Sequence, residues 1–208
     1  MKTKQRIINQ AIESYNTLGV MNVSSRDIAK TLSISHGNLD YHFPTKESLL
    51  LAIYIQMKDE ASEMYEEVNL LHDPIMHFNK LLIKLETFHE KYSFFNLDVL
   101  EISRKYDKVS TLLNKTFQIR KSQMSHFYTR LVKQGYLKDE FKPGMHKRLQ
   151  HTIRILITFW SSQKEILPCF ESTKKHSMSV YVWDLLLPHM TEKGVEAYYK
   201  LKQTATKS

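Results

Sequence analysis

Apolar residues over the first fifty positions recur at helical spacing. Between Gln5 and Leu18 they fall at Ile7, Ile8, Ala11, Ile12, Tyr15 and Leu18, the stripe of one helix face. Gly19 follows directly and suits a C-terminal cap. A second, short helix is expected after Val23, with Ser24 as N-cap and Asp27 where an acid favours the helix N-terminus. Its buried face is Ile28, Ala29 and Leu32. Ser33, Ile34 and Ser35 then form a tight break, with Ile34 plugging the core between helices. Ser35 caps a third helix running through His42. There Leu39 and Phe43, four apart, turn inward, while His36, Gly37, Asn38 and Asp40 turn outward. Pro44 ends this helix, and Thr45 caps the next at Lys46.

Helix follows helix thereafter. One stripe runs Leu49, Leu50, Ile53, Met57, Ala61, Met64 and Val68; another runs Ile75, Phe78, Leu82, Leu85 and His89, after a cap at His72-Asp73-Pro74. A further helix opens in Tyr92–Glu101. Leu113, Phe117, Arg120, Met124, Phe127 and Leu131 make one face of a long helix that Gly135 ends. The next helix carries Leu149, Ile153, Leu156, Ile157 and Trp160 up to Pro168, the one after covers about Ser177 to Leu187, and a short amphipathic tail spans Val195 to Leu201. The 208 residues hold only 5 Gly and 5 Pro, and scarcity of these helix breakers agrees with long helices and few connections. The expected class is all-α.

Charge and chemistry narrow the function. The net charge of +8 suits a polyanionic partner. Residues 1–48 contribute little of it, with Lys2, Lys4, Arg6, Arg26, Lys30 and Lys46 set against Glu13, Asp27, Asp40 and Glu47. The longest apolar run, Ile153–Trp160, is interrupted by Arg154, and the opening MKTKQRIINQ lacks an apolar signal core, so a cytoplasmic protein with no membrane span is expected. The single Cys169 excludes an intrachain disulfide and reads as a packing residue. His72/His77 and His146/His151 are five apart, not the four that point two ligands from one helix face, so no metal or cofactor is expected. No nucleophile elbow, phosphate-binding glycine loop or Cys/His arrangement supports an enzyme. His126 lies beside candidate pocket residues.

Two short helices joined by a three-residue turn and braced by a longer first helix make a helix-turn-helix, whose second helix enters the major groove. Gly37 would let the backbone approach a duplex, and Asn38 can bond a base edge or a phosphate. A plain three-helix bundle would show the same caps and stripes.

The string Ser25-Arg26-Asp27-Ile28-Ala29-Lys30, then Ser33-Ile34-Ser35-His36-Gly37-Asn38-Leu39-Asp40-Tyr41-His42-Phe43-Pro44-Thr45-Lys46-Glu47-Ser48-Leu49, resembles the DNA-binding head of the TetR family of regulators. Tyr41-His42-Phe43 followed by Lys46-Glu47 and Leu49-Leu50 is its most specific part. The resemblance implies a head over 1–47 and a helical ligand-binding and dimerisation domain over 48–208. It implies that Ser25 and Arg26 touch phosphate, and that Ser35, His36, Gly37 and Asn38 lie at the major groove. Tyr41 and His42 would meet phosphate or sugar, and Lys46 would neutralise a phosphate beside the positive end of its helix. Two positions depart from the family pattern. Ser33 stands where Gly is common, and Asp40, where an aromatic is common, is either a reader of cytosine or an intrahelical partner.

The resemblance also implies a repressor released by a small apolar or amphipathic effector, bound in a pocket for which Phe94, Phe95, Met124, Phe127, Tyr128 and Trp160 are candidates. Those aromatics could equally fill the core. A homodimer joined through helices near 147–166 and 176–189, both apolar over wide arcs, would read a palindromic double-stranded operator. The alternative is a small-molecule carrier or helical interaction module with a degenerate head, favoured only by Asp40 and the head's weak charge.

Overall fold

The computed structural model of the chain describes residues 2–69, 73–166 and 177–205; His72, Pro168 and Cys169 lie outside them. The described residues form α1 (Thr3–Leu18), α2 (Ser25–Thr31), α3 (His36–His42), α4 (Lys46–Asn69), α5 (Pro74–Lys91), α6 (Ser93–Lys105), α7 (Asp107–Lys133), α8 (Met145–Ile166), α9 (Met178–Leu186) and α10 (Glu192–Ala205). Leu187–His189 adds one 3-10 turn after α9, and Leu137 pairs with Met190 in an isolated antiparallel bridge. The all-α expectation holds, and α10 runs longer than the expected tail.

The chain divides into two compact units, Met1–Ser62 with His89–Thr116, and Glu63–Phe88 with Phe117–Ser208. Residues 48–62 and 89–116 pack with the head, because α6 supplies polar anchors as well as apolar surface. Asn16 donates to the carbonyl of Lys91 (2.9 Å) and accepts from the amide of Phe94 (3.0 Å), and the Asp98 carboxylate accepts from the amide of Val20 at 2.6 Å. Tyr15 packs on Phe94 and Tyr54 on Phe95, with ring centroids 5.5 and 5.3 Å apart.

The stripe on α1 is buried as its spacing predicts, at Ile7, Ile8, Ala11, Ile12 and Tyr15. Each fully buried aliphatic side chain of this kind contributes about 1.5–3 kcal/mol. Leu39 and Phe43 are also buried, whereas Ile34 is only partly so.

In the second unit the core gathers Phe78, Leu82, Tyr128, Ile153, Trp160, Val182 and Trp183. Phe78 meets Trp183 edge to face at 5.3 Å, and the Trp183 indole donates to Asn79 Oδ1 at 3.1 Å. Asp73 caps α5 by accepting from the amides of Ile75 and Met76, with Pro74 at the first helical position. The start of α10 presses so closely on the backbone at Tyr136 that a Cβ on Gly194 would sit 2.2 Å from the Tyr136 carbonyl oxygen. Only glycine fits there.

Candidate nucleic-acid interface and ligand cavity

The interface is built on two capped helices. Ser24 and Asp27 form a reciprocal capping box: the Asp27 amide donates to Ser24 Oγ (3.3 Å), and the Ser24 amide donates to Asp27 Oδ2 (2.8 Å). The hydrogen bonds from Ser24 hold the Asp27 carboxyl below its ordinary range. Ser35 Oγ accepts from the amide of Asn38 at 3.1 Å and starts α3. The hydroxyl of Ser35, a candidate DNA contact, therefore serves first as a cap. Thr45 Oγ1 accepts from the amide of Ser48 at 3.0 Å and starts α4.

Between α2 and α3, Ser33 sits at φ 54°, the one non-glycine residue with positive φ among the described residues. It occupies the left-handed turn position for which glycine is the usual choice.

The outward face of α3 matches expectation. His36, Gly37 and Asn38 are exposed, and so is Arg26 on α2, while Ser25 is partly buried. Tyr41 is 83% exposed and sets its ring edge-on to His42 at 5.2 Å. A Cβ placed on Gly37 would meet no atom of the chain within 4 Å. Packing therefore does not demand a glycine in this helix, where it costs up to ~1 kcal/mol relative to alanine. Asp40 pairs with His36 one turn earlier, Oδ2 to Nδ1 at 3.0 Å, as an intrahelical partner would.

Lys46 is placed differently from a free phosphate ligand. Its ammonium donates to the carbonyl oxygens of Val20 and of Val23, the latter at 2.7 Å, and stands 5.7 Å from the Tyr15 ring centroid. Burial, with Lys105 nearby, lowers its pKa. Lys46 thus ties α4 to the α1–α2 connection.

Of the six pocket candidates, Met124 and Phe127 line a cavity of about 310 Å³ within the second unit, with Tyr65, His77, Phe78, Leu81, Gln123, His126 and Arg130. Phe94 and Phe95 do not. They are buried in the other unit, because the segment carrying them is anchored to α1 through Asn16. Tyr128 and Trp160 are buried in the second unit's core and do not line the cavity. The sequence reading missed His77 and Arg130 as cavity residues. Arg130 stands four residues after His126 and three after Phe127, spacing that puts all three on one face of α7.

Among the described residues, no three His, Cys, Asp or Glu residues stand together as a metal site, and no helix is long and apolar enough to cross a membrane.

Fold and site together define a helix-turn-helix transcriptional regulator. Residues 7–53 match the family described as bacterial regulatory proteins, tetR family, and residues 56–198 match that described as TetR, bacterial transcriptional repressor. The chain belongs to the TetR family of DNA-binding transcriptional regulators. It is 25% identical over 164 residues to the HTH-type transcriptional regulator UidR of Escherichia coli K12, covering 76% of this chain and 78% of that one. It is 25% identical over 154 residues to QacR of Staphylococcus aureus, covering 68% and 74%. A TetR-family regulator from Marinobacter aquaeolei VT8 shares its fold with a TM-score of 0.84 over 98% of each chain at 19% identity. A regulator from Saccharomonospora viridis solved in complex with choline shares it with a TM-score of 0.72, covering 91% and 97% at 22% identity.

Proposed function

We propose that the protein is a cytoplasmic homodimeric repressor of a palindromic operator, released from DNA by a small effector bound in the cavity of the second unit. The observation that carries the DNA reading is the exposed N-terminal half of α3, with a glycine that the fold itself does not need at Gly37. A residue that weakens an isolated helix and packs against nothing is explained when a duplex lies against it.

Dimerisation is supported by α8. Ile155, Phe159 and Ile166 are exposed and fall four and seven residues apart, an apolar stripe left uncovered in the single chain. Two copies related by a two-fold axis would present two α3 helices to successive major grooves, about 34–36 Å apart. An effector that prefers another separation shifts the population away from the DNA-binding form. The helix α4 carries Lys46 in the head at one end and Tyr65 on the cavity wall near the other.

A gel shift on the DNA flanking the protein's own gene, at 100 mM salt, tests the reading. A retarded band that competitor DNA of unrelated sequence does not abolish is expected. No band at micromolar protein would reject it.

A further inference from the structure

The helix α3 carries an ion pair among the residues proposed to meet DNA. His36 and Asp40 stand one helical turn apart, and Nδ1 of the imidazole lies 3.0 Å from Oδ2 of the carboxylate. Their side chains remain 43% and 42% exposed, so the pair is not a buried packing device. The backbone beneath it is held firmly. Leu39 is fully buried, and Ser35 Oγ caps the helix at the Asn38 amide. A Cβ placed on Gly37, beside His36, would meet no atom of the chain within 4 Å, which leaves room for a base edge next to the imidazole.

A carboxylate on a face turned toward DNA is repelled by the phosphate backbone and costs affinity. An exposed ion pair returns little of that cost as stability. Its effect on the imidazole is larger. An ionised carboxylate only accepts, so the Nδ1 that faces it carries the hydrogen. The neutral ring then has its acceptor lone pair on Nε2, across the ring from Asp40. In the major groove such an acceptor matches the amino group of adenine (N6) or cytosine (N4). It opposes guanine, which presents N7 and O6 as acceptors, and thymine, which presents O4 and a methyl group.

We infer that Asp40 is a positioning residue for operator recognition: it holds the hydrogen of His36 on Nδ1, and Nε2 thereby selects an amino base, adenine or cytosine, over a keto base at one position of each half-site. This rests on α3 being the DNA-reading helix of the proposed repressor. Every base pair holds one amino and one keto base. His36 therefore decides which strand carries the amino base and does not separate A·T from C·G. Without Asp40 the ring is free to carry its hydrogen on Nε2 and to donate it to a keto base.

The test uses the full chain at pH 8 and the operator recovered by selection from random duplex DNA. Duplexes with each of the four bases in turn at every half-site position are titrated by fluorescence anisotropy against wild type, Asp40→Ala, His36→Ala and the double variant. Circular dichroism and thermal melting establish that each variant folds. At one position wild type should bind the adenine and cytosine duplexes about tenfold more tightly than the guanine and thymine duplexes. Asp40→Ala should lose or invert that preference and keep the preferences elsewhere. His36→Ala should lose it, and adding Asp40→Ala to His36→Ala should change base preference no further. A pair that only stabilises the helix would lower the melting temperature of Asp40→Ala and leave base preference intact, which would overturn the assignment. A preference that survives in His36→Ala and vanishes in Asp40→Ala would make Asp40 the direct reader and overturn it as well. Nitrogen-15 spectra of the free protein give a reading independent of DNA: the His36 hydrogen should sit on Nδ1 in wild type and move toward Nε2 in Asp40→Ala. A wild-type hydrogen on Nε2 would contradict the positioning role. Recovery of no operator would refute the repressor reading and this assignment together, whereas an operator with no amino-base position sensitive to His36 would refute the assignment alone.

Discussion

The ammonium of Lys46 donates to the carbonyl oxygen of Val23 at 2.7 Å and also to that of Val20, so a cation expected at the DNA backbone is anchored inside the head. Removing it leaves two carbonyls short of a charged donor, and hydrogen bonds of that kind contribute roughly 1.5–3 kcal/mol. Partial exposure of Lys46 reduces this. Lys46→Met should destabilise the protein by about 1–2 kcal/mol in urea denaturation. Arg26→Ala should leave stability within about 0.5 kcal/mol and lower the salt dependence of DNA binding by about one unit of slope. Equal stability of the two variants would contradict the anchoring role.

Gly37 separates fold from function. Since no atom of the chain would meet its Cβ, Gly37→Ala should fold and gain up to ~1 kcal/mol from helix propensity. The added methyl group would stand where a duplex must approach, and operator affinity should fall tenfold or more. Thermal melting and fluorescence anisotropy on one preparation check both parts. A variant that is more stable and binds DNA normally would show that α3 does not approach DNA at this point.

Ser33 holds a left-handed conformation that costs a side-chain-bearing residue roughly 1–2 kcal/mol. Ser33→Gly should therefore raise stability, by about 0.5–1 kcal/mol once glycine's greater freedom in the unfolded chain is deducted. Ser33→Val should lower it. Denaturant midpoints of the three proteins, compared at equal slope, provide the check.

Much of the head was legible because short-range rules dominate it. Ser24, Ser35 and Thr45 read as caps and act as caps, and Leu39 with Phe43 read as an inward pair and are buried. What periodicity could not give was the partner of each buried face. Phe94 and Phe95 carry the same aromatic signal as Phe127, yet Asn16 draws the first two to the head, and only Phe127 reaches the cavity. Arg130 and His77 escaped notice because a charge and a lone imidazole at helical spacing ordinarily face solvent or fill a core. Their convergence depends on how α5 and α7 pack, a long-range property. The anchoring of Lys46 is not legible in the sequence for a related reason: the carbonyls it meets lie 23 and 26 residues earlier in the chain.

Acid should loosen the fold before it reaches the carboxylates. Burial lowers the pKa of His89 from its ordinary 6.5 to about 4, so the folded protein holds this ring neutral while the unfolded chain protonates it below pH 6.5. The stability it contributes is complete above the unfolded value and is lost as pH falls from 6.5 toward 4. Between pH 7 and pH 5 the loss should be about 1–2 kcal/mol, to which His77 adds with the same sign. In His89→Leu the pH dependence over this interval should flatten. A wild-type protein equally stable at both pH values would show that His89 is not desolvated.

Selection from random duplex DNA with the purified protein tests the operator claim most directly. Enrichment of a palindrome is expected, with half-sites centred about 10 base pairs, or a multiple, apart and base preferences in each half-site that change in Asn38→Ala. Recovery of unenriched sequence, or of a site without two-fold symmetry, would contradict it.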